Sequence, residues 1–263
     1  MVLILGGTAQ ARELAAQLVA SGEEVITSLA GRVANPRLPV GRVRIGGFGG
    51  VDGLHAWLIA NQTRAVIDAT HPFAEQISAN AVHACAAAGL PLLRLQRPGW
   101  SERPGDRWSW VADLDAAAAA ISDRSEISDH SERVLLTTGR QGLAAFSELE
   151  SAWFLIRCVD PPQSRLPPYH ALLLDRGPYT RAGEGALLDE YRIDLVVTKD
   201  SGGAHTAAKL DAARERNLPV IIVRRPPRPA AITVATVTEA FTWALSPASR
   251  DGGRHGPPPS EPA

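Results

Sequence analysis

Short apolar runs alternate along the chain with longer segments whose apolar residues recur every three or four positions. The first run, Val2–Leu5, leads through a glycine turn into a segment that carries Leu14, Leu18 and Val19 on one helical face. Runs of this length between turn residues are typical of buried strands, and the segments between them are typical of amphipathic helices. Strands that alternate with helices predict parallel sheets covered by helices on both faces.

This order of elements occurs twice. The first set of predicted strands covers 2–5, 24–28, 43–45, 65–68 and 92–95, and the second covers 134–138, 153–159, 172–174, 195–198 and 220–223, before a last helix at 236–245. A polar segment without periodicity separates the sets, and we predict a connector there, at 123–133. The predicted fold class is α/β, with two Rossmann-like parallel-sheet domains, 1–122 and 134–245, and the active site in the cleft between them. The Pro/Gly-rich tail, 246–263, is predicted to be disordered.

Composition and charge exclude several functional classes. The 263 residues carry a net charge of −1, so no extended basic surface is expected for nucleic acid or an anionic membrane. No apolar run reaches the roughly 18 residues of a membrane-spanning helix. Cys85 and Cys158 are far apart and lack metal-type spacing, so we predict free thiols and no metal site. We expect a cytoplasmic protein that is a monomer or a weak dimer.

The first turn resembles a dinucleotide-binding fingerprint. Gly6, Gly7 and Thr8 follow a strand and precede a helix, but Thr8 stands where the second glycine of the fingerprint would be. The next strand ends with Ser28 and is followed by Arg32, where an NAD-binding fold would place an acidic residue. A hydroxyl with a guanidinium suits a 2′-phosphate, which favours NADP over NAD. The alternative is that Arg32 is a solvated loop residue.

A second glycine turn, Lys199 to Gly203, indicates an anion site. Backbone N–H groups at the start of a helix have no partner within the helix, and Gly202 and Gly203 let a ligand approach them. Lys199 and Lys209 are the two lysines of the chain, and both fall in this segment. A compact ammonium suits a carboxylate or a phosphate. Two lysines can also be neighbours by chance, and an ordinary strand-to-helix turn is the alternative.

Ligands of open parallel sheets bind beyond the carboxyl ends of the strands. Those ends carry Gly6-Gly7-Thr8, Thr70-His71-Pro72, Thr138-Gly139-Arg140, Arg176-Gly177-Pro178 and Lys199-Asp200-Ser201-Gly202-Gly203. The first half would hold the nucleotide, and the second would offer cations and backbone N–H groups to an anionic substrate. The chain contains no P-loop, no Tyr-x-x-x-Lys pair, no G-x-S-x-G and no H-E-x-x-H. Hydride transfer by a bound cofactor therefore fits best.

Together, these motifs resemble the precorrin-6A reductase family of cobalamin biosynthesis. The resemblance rests on Gly6-Gly7-Thr8, the segment 68–74, Thr138-Gly139-Arg140, the segment 175–178, and the segment 199–203 with Lys209, and it extends from Met1 to about Val223. One departure is Gln10, where the family's first turn would carry Glu. The resemblance implies NADPH-dependent reduction of one carbon–carbon double bond in a tetrapyrrole polycarboxylate, precorrin-6A or its cobalt-containing form.

The resemblance also implies roles for individual residues. The cofactor would be held by Gly6, Gly7, Thr8, Ser28, Arg32 and Thr70. The substrate carboxylates would be held by Thr138, Gly139, Arg140, Arg176, Lys199, Ser201, Gly202, Gly203 and Lys209. The proton that completes the reduction would come from Asp200, His71, Tyr179 or water. Two other functions remain open, an NADP-sensing regulatory protein and a transferase with an adenosyl cofactor.

Overall fold

The computed structural model describes residues 1–31, 35–127, 131–246 and 249. Its strands are β1 (Val2–Leu5), β2 (Val25–Leu29), β3 (Arg42–Ile45), β4 (Ala65–Asp68), β5 (Leu92–Leu95), β6 (Trp108–Val111), β7 (Glu132–Leu136), β8 (Ala152–Cys158), β9 (His170–Leu174), β10 (Leu195–Lys199), β11 (Val220–Val223) and β12 (Ile232–Val234). Its α-helices are α1 (Ala9–Ala20), α2 (Gly50–Ala60), α3 (Glu75–Ala88), α4 (Leu114–Ile127), α5 (Arg181–Glu190), α6 (Ala208–Glu215) and α7 (Val237–Leu245). The predicted alternation of strands and helices is confirmed.

The strands form two six-stranded parallel sheets of the same order. One sheet runs β12-β5-β4-β1-β2-β3, and the other runs β6-β11-β10-β7-β8-β9. Both orders are the doubly wound order 3-2-1-4-5-6 read in reverse, with β1 and β7 as the respective first strands. The order therefore reverses between β1 and β4 in one sheet and between β7 and β10 in the other. A doubly wound sheet binds its ligand at this switch point.

The strands of the first sheet are apolar on both faces because helices cover both. Ile4 packs with Leu14 of α1 and Ala240 of α7, whereas the preceding residue, Leu3, packs with Leu54 of α2 on the opposite face. Successive side chains of a strand point to opposite faces, so a strand covered on both faces is mostly apolar, with few buried polar residues such as Asp68 at the end of β4. The second sheet has a comparable core, in which Leu135 and Val196 pack with Leu188 of α5 and Leu210 of α6.

The chain divides into two compact units. The first comprises Met1–Arg97 together with the chain from Pro227 onward, and the second comprises Pro98–Pro226. In the second sheet, β6 precedes the other five strands in the chain and pairs with β11. In the first sheet, β12 follows all strands of the second sheet in the chain and pairs with β5. The last helix, α7, accordingly packs on α1 of the first unit.

This division corrects the boundary predicted at 123–133. The polar residues from 122 to 127 are the last turns of α4, which lies inside the second unit. Arg124 donates to Glu132 at the start of β7 at 2.6 Å, so an ion pair ties this end of the helix to the sheet. The polar end of α4 lacks apolar periodicity, so its sequence resembles that of a linker. Residues 128–130 and nearly all of the predicted tail, 246–263, lie outside the described residues.

Candidate functional site

The glycine turn after β1 offers its backbone rather than its side chains. Gly6 donates its N–H to Ser28 O at 2.9 Å, and a Cβ on Gly6 would lie 2.6 Å from Thr27 Cγ2, so close packing of β1 on β2 requires glycine there. Gly7 has a φ of +113°, and apart from its chain neighbours no heavy atom of the described residues lies within 4 Å of the position of a Cβ. The Thr8 hydroxyl is already engaged, because it accepts from Ala11 N at 3.1 Å and donates to Ala69 O at 2.9 Å.

The same turn opens α1, whose first turn contains no acidic residue. The first N–H groups of an α-helix lack partners within the helix and carry partial positive charge, so this end favours an anion. Gln10 is directed away from that end, since its Nε2 donates to Ala235 O at 3.1 Å. An ionised Glu at this position has no proton to donate, so it could not make the contact that Gln10 makes with Ala235 O.

The turn after β4 is organised by a buried carboxylate. Asp68 is 1% exposed. It accepts from Thr70 Oγ1 at 2.6 Å, from Thr70 N at 3.2 Å and from Ser78 Oγ at 2.7 Å, and Arg94 Nε lies 3.5 Å away. The Thr70 hydroxyl proton is therefore used inside the protein. The sequence motif contained Asp68, but nothing in its spacing indicated that it would be the centre of this network.

His71 lies half-buried in this turn, and its ring takes part in a hydrogen bond. Its Nδ1 accepts from Phe73 N at 3.3 Å, and its carbonyl accepts from the guanidinium of Arg228. In a neutral imidazole one nitrogen accepts and the other carries the proton, so this contact places the proton on Nε2. His71 is thus held in the tautomer that donates through Nε2.

The end of β2 is occupied by an arginine that sequence reasoning missed. Ser28 pairs in register with Arg44 of β3, and Ser28 Oγ accepts from Arg44 Nη1 at 3.2 Å. Arg32, the predicted partner of Ser28, lies outside the described residues. The available signal was that Arg44 precedes the glycine pair Gly46-Gly47 on the strand next to β2.

In the second unit, the turns after β7 and β10 meet at the switch point. Lys199 Nζ donates to Gln141 O at 3.4 Å, and burial lowers the pKa of Lys199. Thr138 is buried, and its hydroxyl has no hydrogen-bond partner within the described part of the chain. Arg140 Nη1 lies 3.8 Å from Asp160 Oδ2. The structure therefore brings Lys199 next to the predicted segment Thr138-Gly139-Arg140.

The turn from Asp200 to Gly203 is anchored from the inside. Asp200 accepts from Trp100 N at 3.1 Å, and Arg225 Nε lies 3.0 Å from its Oδ2. The Trp100 indole donates to Gly203 O at 3.1 Å, and Ser201 N donates to Lys199 O at 2.6 Å. The expected helix does not begin directly after Gly203, because a 3-10 turn, Ala204–Thr206, comes first and α6 begins at Ala208.

Lys209 is a correction to the predicted substrate ligands. Its side chain is buried, Nζ donates to Thr206 O at 2.7 Å, and the ammonium lies 4.9 Å from the centroid of the Trp100 ring. Burial lowers the pKa of Lys209 to about 7, with Arg157 lowering it further and Glu184 opposing. An ammonium in this position supports the turn from within and is not presented to a ligand.

Tyr179 lies beside a second buried ion pair, and Arg176 lies three residues earlier in the chain. Arg157 Nη2 lies 2.9 Å from Glu184 Oε1, and the Arg157 guanidinium is 3.9 Å from the centroid of the Tyr179 ring. Tyr179 Oη donates to Asp175 O at 3.1 Å, and burial raises the pKa of Tyr179. Arg176 is half-buried, and its backbone N donates to Asp175 Oδ1 at 2.7 Å. Nothing in the sequence indicated the pair of Arg157 with Glu184.

These features define a class of protein: a two-unit Rossmann-like α/β protein whose polar turns lie at the switch points of its sheets. In the described ranges there is no group of three or more His, Cys, Asp or Glu that could hold a metal ion. Within the same ranges, no helix is long and apolar enough to cross a membrane.

Comparison with known proteins assigns the family. The profile of the family described as "Precorrin-6x reductase CbiJ/CobK" matches residues 1–245, and the chain belongs to that family. A precorrin-6A reductase of Rhodococcus erythropolis is 53% identical over 244 residues, which cover 92% of this chain and 96% of the relative. A cobalt-precorrin-6A reductase of Salmonella typhimurium is 31% identical over 242 residues, covering 86% and 87%. The solved structure "CobK precorrin-6A reductase" superposes with a TM-score of 0.87 at 43% identity, covering 96% of this chain and 99% of that one.

Proposed function

We propose that the protein is an NADPH-dependent precorrin-6A reductase of cobalamin biosynthesis, which reduces one carbon–carbon double bond of the macrocycle. The observation that carries the proposal is the family match over residues 1–245. The identity of 53% to a precorrin-6A reductase, against 31% to a cobalt-precorrin-6A reductase, supports the cobalt-free substrate. A cytoplasmic location stays a prediction.

The residues of the first switch point fit a dinucleotide. The open space beside Gly7 and the first turn of α1, which lacks acidic residues, suit a pyrophosphate. Gly6 and the backbone of Thr8 complete this cradle, Thr70 follows the neighbouring strand, and Ser28 marks the end of β2, where the ribose of a dinucleotide would lie. When bound, NADPH supplies the hydride.

His71 is the best candidate for the proton donor among the three predicted residues. The Asp200 carboxylate is already engaged in the anchoring of its turn, because it accepts from Trp100 N and lies 3.0 Å from Arg225 Nε. The Tyr179 hydroxyl directs its proton to Asp175 O. His71 has an imidazole, the side chain most often used for proton transfer, and it can carry a proton on Nε2 while Nδ1 accepts from Phe73 N. It also lies in the turn after β4, at the switch point where the cofactor is proposed to bind.

The second unit is proposed to bind the substrate carboxylates. Lys199 and the backbone of the adjoining turns, Gly139 and Ser201 to Gly203, provide donors at the second switch point. Arg140 and Arg176 are proposed to add charge-assisted contacts. The Thr138 hydroxyl, buried and without a partner among the described residues, would serve as a further polar contact. Lys209 would support the turn indirectly through Thr206 O.

The test has a binding stage and a turnover stage. Dissociation constants for NADPH and NADH are measured by energy transfer from tryptophan to the reduced nicotinamide, and turnover is then followed with precorrin-6A as loss of nicotinamide absorbance. Tight NADPH binding with turnover is the expected result. NADPH binding without turnover of either precorrin form would favour the NADP-sensing protein. Failure of both nucleotides to bind would contradict the proposal and favour the adenosyl-cofactor alternative.

A further inference from the structure

Arg44 is positioned at the outer end of the proposed nucleotide site by the register of two strands. β3 pairs in parallel with β2, and Arg44 lies opposite Ser28 at the carboxyl end of β2. In a doubly wound sheet the ribose next to the adenine lies at this strand end. The sheet topology thus places a guanidinium where the 2′ position of a bound dinucleotide is expected.

The guanidinium is held rigidly. Arg44 Nη1 donates to Gly46 O and Nη2 donates to Gly47 O, each at 2.7 Å, in addition to the contact with Ser28 Oγ at 3.2 Å. The ring centroid of Phe48 lies 3.7 Å from Arg44 Cζ. A planar group fixed by two carbonyls and an aromatic face loses little freedom when it binds a ligand.

The held cation lacks a counter-charge. No carboxylate lies within ion-pair distance of Arg44 among the residues that the structure describes, whereas Arg42, two residues earlier on the same strand, pairs with Glu24 at 3.0 Å. Burial alone lowers the pKa of Arg44. A guanidinium has five N–H donors, and three of them are used by Ser28, Gly46 and Gly47. Two donors and an unneutralised charge remain for an anion.

We propose that Arg44, together with the Ser28 hydroxyl, binds the 2′-phosphate of NADPH and sets the preference for NADPH over NADH. This inference rests on the proposed function. Ser28 accepts from Arg44, so its own proton can be donated to a phosphate oxygen. This proposal adds Arg44 to the predicted pair of Ser28 and Arg32, and Arg32 lies outside the described residues.

The test compares matched arginine variants. Dissociation constants for NADPH and NADH are measured for wild type, Arg44→Met, Arg44→Gln and the control Arg42→Met, which removes an exposed arginine from the same strand. Loss of a charge-assisted contact should weaken NADPH binding roughly 10- to 100-fold in both Arg44 variants and leave NADH binding within about twofold. Arg42→Met should retain the wild-type ratio of the NADH to the NADPH dissociation constant. Arg44→Gln keeps a side chain that can bond Gly47 O, so it serves if Arg44→Met folds poorly.

Three outcomes would overturn the inference. If a folded Arg44 variant keeps the wild-type ratio of the NADH to the NADPH dissociation constant, Arg44 does not recognise the 2′-phosphate. The same conclusion follows if, with Arg32→Met added to the series, that variant alone loses the ratio. Equal weakening of NADPH and NADH would show that Arg44 shapes the site without reading the phosphate. If wild type binds neither nucleotide, the proposed function itself fails, and that result is separate from any difference between the Arg44 and Arg42 variants.

Discussion

The turns after β4 and β10 occupy equivalent places in their sheets but present different groups. Each follows the strand beside the switch point, and each is anchored by a buried aspartate, Asp68 or Asp200. Asp68 collects two hydroxyl donors, a backbone N–H and guanidinium groups, whereas Asp200 collects a backbone N–H and one guanidinium but no hydroxyl. The first turn leaves the imidazole of His71 beside the switch point, and the second leaves backbone and the ammonium of Lys199.

The comparison shows that a buried aspartate at a strand end can anchor a turn in either unit. A buried carboxylate must regain in hydrogen bonds what it loses in hydration, and local backbone and hydroxyl groups are the nearest donors. Both aspartates therefore fix the shape of a turn. In the proposed function, the chemistry falls to the residue that the turn holds, which differs between the two units.

The largest expected effect concerns His71. His71→Gln retains an amide that can donate a hydrogen bond but cannot transfer a proton. General acid catalysis contributes about 10²- to 10⁴-fold, so kcat with precorrin-6A should fall by that order while the Kd for NADPH stays within about twofold. The control is His83→Gln, which changes an exposed histidine of α3. An unchanged kcat in His71→Gln would assign the proton to Tyr179 or to water.

The second effect separates buried from exposed charge pairs. Asp68→Ala leaves the buried side chains of Arg94 and Arg228 without their carboxylate, and removal of one partner from a buried pair costs about 3–5 kcal/mol. Glu24→Gln is the control, because Glu24 and Arg42 are 62% and 67% exposed and such pairs contribute about 0–1 kcal/mol. The measurement is the free energy of unfolding in urea. Equal losses in both variants would contradict the view of Asp68 as an anchor.

The third effect is a pH dependence of the free energy of unfolding, which arises from Lys209 in the second unit. The pKa of Lys209 is about 7 in the folded protein, against about 10.4 in an unfolded chain. Between these values the unfolded chain binds the extra proton, so the contribution of Lys209 to the free energy of unfolding rises with pH, by about 1.4 kcal/mol per unit. Lys209→Met should lack that rise when unfolding is measured at about pH 6 and pH 9. Parallel pH profiles for wild type and variant would contradict the lowered pKa of Lys209 and therefore the burial of its amino group.

Much of the fold could be predicted because its signal is local. Apolar runs such as Val2–Leu5 and Val220–Val223 are buried on both faces of a sheet, so hydrophobicity alone marks them as strands. Strand β12 has only three residues, two of them exposed, and carries no such signal. β6 pairs with β11 and β12 pairs with β5, and each pairing joins strands far apart in sequence. Local polarity carries no signal of such pairings, so the boundary drawn from it fell inside α4.

The sequence predicted where the turns of the candidate site lie, but it did not predict which side chains contact one another there. Strand-end turns can be located from glycine and from the end of an apolar run, and this gave His71, Lys199 and the first glycine turn. Which side chains point inward depends on partners distant in sequence, such as Trp100 for Lys209. The proposed role of Arg44 was missed because it comes from register with Ser28 and from the lack of a nearby carboxylate among the described residues, and neither is a property of a short motif.

The smallest effect distinguishes a structural glycine from a ligand-facing one. Gly202 has a φ of +65°, and a Cβ there would lie 2.2 Å from Pro98 O, whereas the space beside Gly7 is open. A strained backbone costs about 1–3 kcal/mol in either alanine variant, and Gly202→Ala adds the close contact. We therefore expect Gly202→Ala to be the less stable in urea but to keep the wild-type Kd for NADPH, and Gly7→Ala to weaken NADPH binding at least about tenfold. Unchanged NADPH binding in Gly7→Ala would contradict placement of the pyrophosphate at the first turn, because the added methyl would occupy the space that this placement requires.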